Sequence, residues 1–169
     1  MPTEKATLGH MLQVIKTFKA SYYGFQETKV NQQHHERITQ INKACVKAMN
    51  TKPKLQSNTT SYVQSQYQPG GLAVITCRGL DSKKNLIEKD PTSLIQTTTI
   101  HSNEVRLKIL NVYWPPDSTG SLLTHMQTTN TIQKLGLQPH ATNVTEYFYR
   151  TLSKVIEHAT VDGYSVLIG

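Results

Sequence analysis

Glu27 closes the run Ser21-Tyr22-Tyr23-Gly24-Phe25-Gln26-Glu27-Thr28-Lys29, where an aromatic, apolar stretch meets a carboxylate and then a cation. The stretch reads as a buried strand, and strand ends are where α/β proteins mount their chemistry. A carboxylate there is either a metal ligand or the point at which the chain re-enters water. A second group is Asn111-Val112-Tyr113. Asn111 and Tyr113 alternate, so in a strand both face the same side of the sheet. Lys29 is placed to contact a phosphate, although a solvated lysine is the simpler state. His34 and His35 are neighbours on an expected helix, where adjacent residues do not share a face. They make poor metal ligands and read as surface. Cys45 and Cys77 sit on apolar faces and read as core thiols. No Ser-His-Asp arrangement, P-loop or zinc spacing is present.

The elements that must position these groups follow from periodicity. Leu8, Met11, Leu12, Ile15 and Phe18 predict a helix over 7–19, followed at once by a strand from Tyr22 to Gln26. Ile38, Ile41, Cys45, Ala48 and Met49 predict a second helix within 31–50, which Lys52-Pro53-Lys54 ends. Residues 51–69 are polar, a long loop or an exposed strand such as Ser61 to Gln66. Pro69-Gly70-Gly71 then precedes a buried strand from Leu72 to Cys77. Thr92 to Ile100 and Val105 to Tyr113 read as strands joined by a hairpin turn at 101–104. Gly120 to Thr131 is an expected helix. Asn143 with Glu146 is a capping pair for another, running to His158. Asp162-Gly163 turns the chain into a last strand from Ser165.

A chain of 169 residues suits one domain with a real core. No internal repeat is visible, and no apolar run approaches the roughly 20 residues of a membrane helix. Two distant cysteines fit a reduced, intracellular chain better than a disulfide framework. The net charge of +7 favours a polyanionic partner through phosphate neutralisation. The excess is spread thinly, without a block of like charges, so ordinary solubility is the simpler account of it.

Four segments, in order, carry a resemblance. "YYGFQETK" (22–29), "PGGLAVIT" (69–76), "LKILNVYWPPDSTGS" (107–121) and "DGYSVLIG" (162–169) resemble successive strand motifs of the endonuclease/exonuclease/phosphatase superfamily, the deoxyribonuclease I-like proteins. The Gly-Gly strand and the polar stretch before it are closest in flavour to non-LTR retrotransposon endonucleases. The resemblance implies a Mg²⁺-dependent phosphodiesterase acting on DNA, with Mn²⁺ as a substitute cation. It implies Glu27 as catalytic and metal-binding, and Tyr113 as catalytic through a hydrogen bond from its phenol to a phosphate oxygen. Lys29 and Asn111 become phosphate- or DNA-binding residues. A Mg²⁺ ion that keeps most of its waters and takes one or two carboxylates suits Glu27. In a complete element the same chain would carry a reverse transcriptase, and the family analogy points to the nucleus.

By the same resemblance the domain is incomplete at both ends. The family's Asn-bearing first strand is not in this sequence, nor are the Asp-x-Asn expected after Gly169 and the later Asp and His. The expectation is therefore a single partial domain over 1–169, inactive alone. The alternatives are a non-catalytic nucleic-acid-binding remnant and a fragment of a phosphatase or sphingomyelinase-like member of the same fold. The fold expected is α/β: about half of a four-layer sandwich. One mixed sheet would carry the 7–19 and 143–159 helices on its outer side. Apolar area would be exposed on its other face (Val74 and Ile75, or Leu110 and Val112). Glu27 and Tyr113 would converge at one rim.

Overall fold

Asn143 is extended and its side chain accepts the Glu146 N–H at 2.8 Å, satisfying an orphan donor at the start of the longest helix. Asp162 caps the other end, and Gly163, at φ 75°, supplies the left-handed turn into the following strand. In the computed structural model, which describes residues 4–26, 28, 30, 35–52, 54–56, 71–77, 79–80, 86–114, 122–136 and 143–169, the chain is mixed α/β. Its elements are α1 (Glu4–Thr17), β1 (Tyr22–Gln26), α2 (His35–Met49), β2 (Lys54–Gln56), β3 (Leu72–Thr76), β4 (Leu86–Lys89), β5 (Ile95–His101), β6 (Arg106–Val112), α3 (Leu122–Leu135), α4 (Val144–Val161) and β7 (Ser165–Ile168).

The strands form two sheets, not the single one expected. The first is antiparallel in the order β1-β3-β2. The second runs β4-β5-β6-β7, with β7 parallel to β6. Alternation along the strands explains how both faces of each sheet are used. Tyr23, Ala73 and Ile75 turn to one side of the first sheet, where they bury against Ile15 of α1 and Ile41 and Cys45 of α2. Ile95 and Val112, paired across β5 and β6, pack with Val144, Tyr147 and Phe148 of α4 and Ile132 of α3. Their neighbours Gln96 and Asn111 turn the other way and reach the first sheet. Gln96 Nε2 donates to the Lys54 carbonyl at 3.0 Å, and Asn111 Nδ2 to those of Phe25 and Ala73 at 3.3 and 3.2 Å.

Two expectations change as a result. The 7–19 and 143–159 helices lie outside different sheets. Val74, Ile75 and Leu110, expected to expose apolar area, are fully buried: Val74 turns toward the second sheet, Ile75 packs under α1 and α2, and Leu110 shares the α4 face of β6 with Val112. The two short strands β2 and β4 were not anticipated, being polar edge strands of three and four residues. The strand expected from Thr92 begins at Ile95, since Asp90 to Leu94 form a tight turn. There the Asp90 carboxylate accepts the backbone N–H groups of Thr92 and Leu94, and the Ser93 N–H donates to the Asp90 carbonyl. The 61–66 strand and the 69–70 turn residues lie outside the described residues. Cys45 and Cys77 are buried and form no disulfide, as expected of core thiols, and burial pushes the Cys45 thiol up to about 11.

Candidate functional site

β1 and β6 end together. Gln26, the last residue of β1, donates from Nε2 to the carbonyl of Val112, the last residue of β6, at 2.6 Å. Glu27 follows the first of these residues and Tyr113 the second. One residue further back, Asn111 holds β6 to β1 and β3 through the two carbonyl bonds described above. Asn111 is only 3% exposed, so those bonds lie in the dry space between the sheets. Gly24 makes this approach possible. A Cβ at that position would stand 3.1 Å from Asn111 Oδ1, so the Asn111 amide would have to give by a few tenths of an ångström.

The end of β7 completes the same rim. Gly169 accepts from the Val112 N–H at 2.9 Å and donates to the Leu110 carbonyl at 3.0 Å. Between β1 and β7 the two sheets leave a groove of about 500 Å³, lined by Tyr22, Gly24, Gln26, Asn111, Leu167 and Ile168 among others. Leu167 and Ile168 are about half exposed.

Tyr113 leaves β6 with its N–H donated to the Leu94 carbonyl at 2.8 Å. Its side chain is 9% exposed and belongs to the apolar cluster with Leu94, Leu72 and Phe148. Trp114 packs edge-on against Phe148 and Tyr149, at centroid distances of 5.1 and 5.0 Å. That is a packing role. Glu27 and Lys29 lie outside the described residues, as does His34, while His35 is exposed on the first turn of α2. The structure thus brings Asn111 and Tyr113 to the rim beside the residue that precedes Glu27. Gln26 and Gly24 were not singled out from sequence as functional. The signal for Gly24 was present: a glycine inside a strand marks a close backbone approach.

Among the described residues no three His, Cys, Asp or Glu side chains come together as a metal-binding group. Gln26 and Asn111 are neutral amides engaged in holding the strands. The described residues therefore do not by themselves fit a divalent cation. No protein-family model matches the chain, and no curated protein matches it significantly.

A second polar cluster joins α4 to the β4–β5 turn. The Tyr147 hydroxyl donates to Asp90 Oδ1 at 3.0 Å, tying the helix to the β4–β5 turn. Burial holds the Asp90 carboxyl above the usual carboxylate range, with hydrogen bonds from Thr92, Tyr147 and Leu94 pulling partly the other way. The Tyr147 phenol is raised by burial and by the Asp90 charge. These contacts tie the β4–β5 turn to the helix and make the cluster a structural clasp.

Proposed function

We propose that this chain is part of a metal-dependent phosphodiesterase domain of the endonuclease/exonuclease/phosphatase superfamily, of the retroelement endonuclease type, acting on DNA. The observation that carries the reading is the Gln26–Val112 hydrogen bond. It supports a common rim for the two segments whose motifs assign the carboxylate and the tyrosine. The two facing sheets with helices outside them support the four-layer sandwich of that superfamily.

In this reading Glu27 is the carboxylate for Mg²⁺, or Mn²⁺ in its place, which would neutralise phosphate charge. Tyr113 donates its phenolic hydrogen to a phosphate oxygen during in-line displacement. Lys29 adds a cation for the DNA backbone. The Asn111 amide hydrogens are committed to Phe25 and Ala73. Its contribution to phosphate binding therefore passes through the rim that it holds in shape. The Asp-x-Asn, Asp and His expected of a complete domain are not among these 169 residues. Proton transfer contributes roughly 10² to 10⁴-fold in such reactions, so the chain alone should not turn over.

Plasmid nicking in Mg²⁺, run beside DNA binding from low to moderate salt, tests this. The expected result is no nicking, with weak binding that falls as salt rises. Nicking that disappears in Glu27→Gln would show that the chain is a working enzyme and overturn its inactivity. Failure to bind DNA at low salt would overturn the nucleic-acid reading.

A further inference from the structure

The opposite end of β6 carries a different chemistry. His101, Arg106 and Tyr164 form a row across three neighbouring chain segments. His101 pairs with Arg106 in the β5–β6 register, and Tyr164 immediately precedes the Leu107↔Ser165 pair of β6 and β7. The Arg106 guanidinium lies 4.7 Å from the centroid of the Tyr164 ring, and Lys108 Nζ lies 5.4 Å from it. The Tyr164 hydroxyl is held by His101 Nδ1 at 3.0 Å, which fixes the ring. Gly163 leaves room for the arrangement: a Cβ there would meet Arg106 Nη1 at 3.3 Å.

Two cations therefore share one aromatic platform, and among the described residues no carboxylate pairs with either within 4.0 Å. Among the described residues the only ion pair within 4.0 Å is Arg150 with Glu146 on α4. Glu104 and Asp162 are close in sequence but do not pair with Arg106 or Lys108. The last carbonyls of α4 favour a cation beside Gly163, which accounts for Arg106 in part. They do not account for Lys108, one strand repeat further along. His101 and Arg106 are exposed, and Lys108 and Tyr164 are half-buried.

Resting on the reading that the chain engages nucleic acid, we infer that His101, Arg106, Lys108 and Tyr164 form a second phosphate-backbone contact, separate from the rim. Seven residues of β6 put this end about 20 Å from Val112. Arg106 and Lys108 stand two strand residues apart, about 6.7 Å. That is the axial advance of two nucleotides at about 3.4 Å each. A cation held over an aromatic face has already lost side-chain freedom, so less remains to be lost when a phosphate arrives. The contact is with phosphate and is indifferent to sequence.

The test is binding of a labelled 20-base-pair duplex to the 169-residue chain across a salt series, for wild type and three variants. Arg106→Gln with Lys108→Gln should weaken binding about tenfold at low salt and reduce the salt slope by about two, since each lost contact removes roughly 0.9. Tyr164→Leu should weaken binding about threefold with the slope kept, because both charges remain. Lys43→Gln with Lys47→Gln, exposed on α2, removes the same charge elsewhere and should change affinity less than twofold. Equal losses from both double variants would mean bulk charge and overturn the contact. Wild-type affinity and slope in Arg106→Gln/Lys108→Gln would overturn it too. So would a loss confined to polyglutamate binding, which would point to an acidic protein partner. If wild type itself does not bind the duplex at low salt, the nucleic-acid reading falls together with the contact. Binding that persists in the variants removes the contact alone.

Discussion

The two ends of β6 show how differently one strand can spend its polar groups. At its C-terminal end, Asn111 is buried and both its amide hydrogens go to backbone carbonyls of the facing sheet, while Tyr113 is folded into an apolar cluster. At its N-terminal end, Arg106 and Lys108 are held by a ring, and among the described residues no carboxylate pairs with either within 4.0 Å. Cover makes the difference. Asn111 turns to the first sheet, where an unpaired polar atom would cost desolvation, so its amide is satisfied within the protein. Arg106 and Lys108 turn to the opposite, α4 face of β6. There water does that work, and a charge can remain available to a ligand. Asn111 should therefore contribute chiefly to stability, and Arg106 and Lys108 chiefly to binding.

The largest effect is expected at the covered end. Asn111→Ala removes two hydrogen bonds, leaves a hole between the sheets and strips the Phe25 and Ala73 carbonyls of a donor. It should cost about 2–4 kcal/mol in urea or thermal unfolding. A loss under about 0.5 kcal/mol would mean that the sheets are not held through this residue.

An intermediate effect is expected at the Asp90 clasp, and it depends on pH. Because the folded-state pKa of Asp90 is raised, its contribution to stability is complete below the ordinary aspartate value. That contribution is lost as pH rises through the raised folded value. Stability attributable to this residue should therefore decline as pH rises from acid toward the folded value. Asp90→Asn keeps an oxygen for the Thr92 and Leu94 N–H groups and cannot ionise. It should flatten that slope and leave the folded state intact. Unfolding midpoints of the two proteins across the acidic range decide it, and an unchanged slope in Asp90→Asn would remove the burial argument.

The smallest effect is expected at the two cations. Arg106→Gln, at an exposed position, should leave the unfolding free energy within about 0.5 kcal/mol of wild type, and Lys108→Gln, at a half-buried one, within about 1 kcal/mol. A loss above 1 kcal/mol would show that these cations serve the fold, and the contrast between the two ends would collapse.

Much of this was legible in the chain itself. The β1 boundaries follow from an aromatic run that stops at Gln-Glu, and the α4 start from Asn143 with Glu146, because a local hydrogen bond writes the signal into neighbouring residues. The helical spacing of Ile38, Ile41 and Cys45 likewise named the buried face of α2. Local pattern failed where the partner is remote in sequence. β2 is three residues long and exists because β3 offers it an edge, and β4 because β5 does. The division into two sheets was equally invisible. Val74 looks the same in sequence whether its outer face meets water or a second sheet.

The sequence by itself determined which residue types stand at the strand ends, the helix faces and caps, and the excess of positive charge, since each rests on interactions between residues a few positions apart. Tertiary structure alone decided that Gln26 meets Val112, 86 residues away, that Asn111 is turned inward, and that Arg106 and Lys108 find Tyr164. Those contacts depend on how two sheets and their helices pack. No local period or propensity encodes a distance between segments that approach one another only when the core closes.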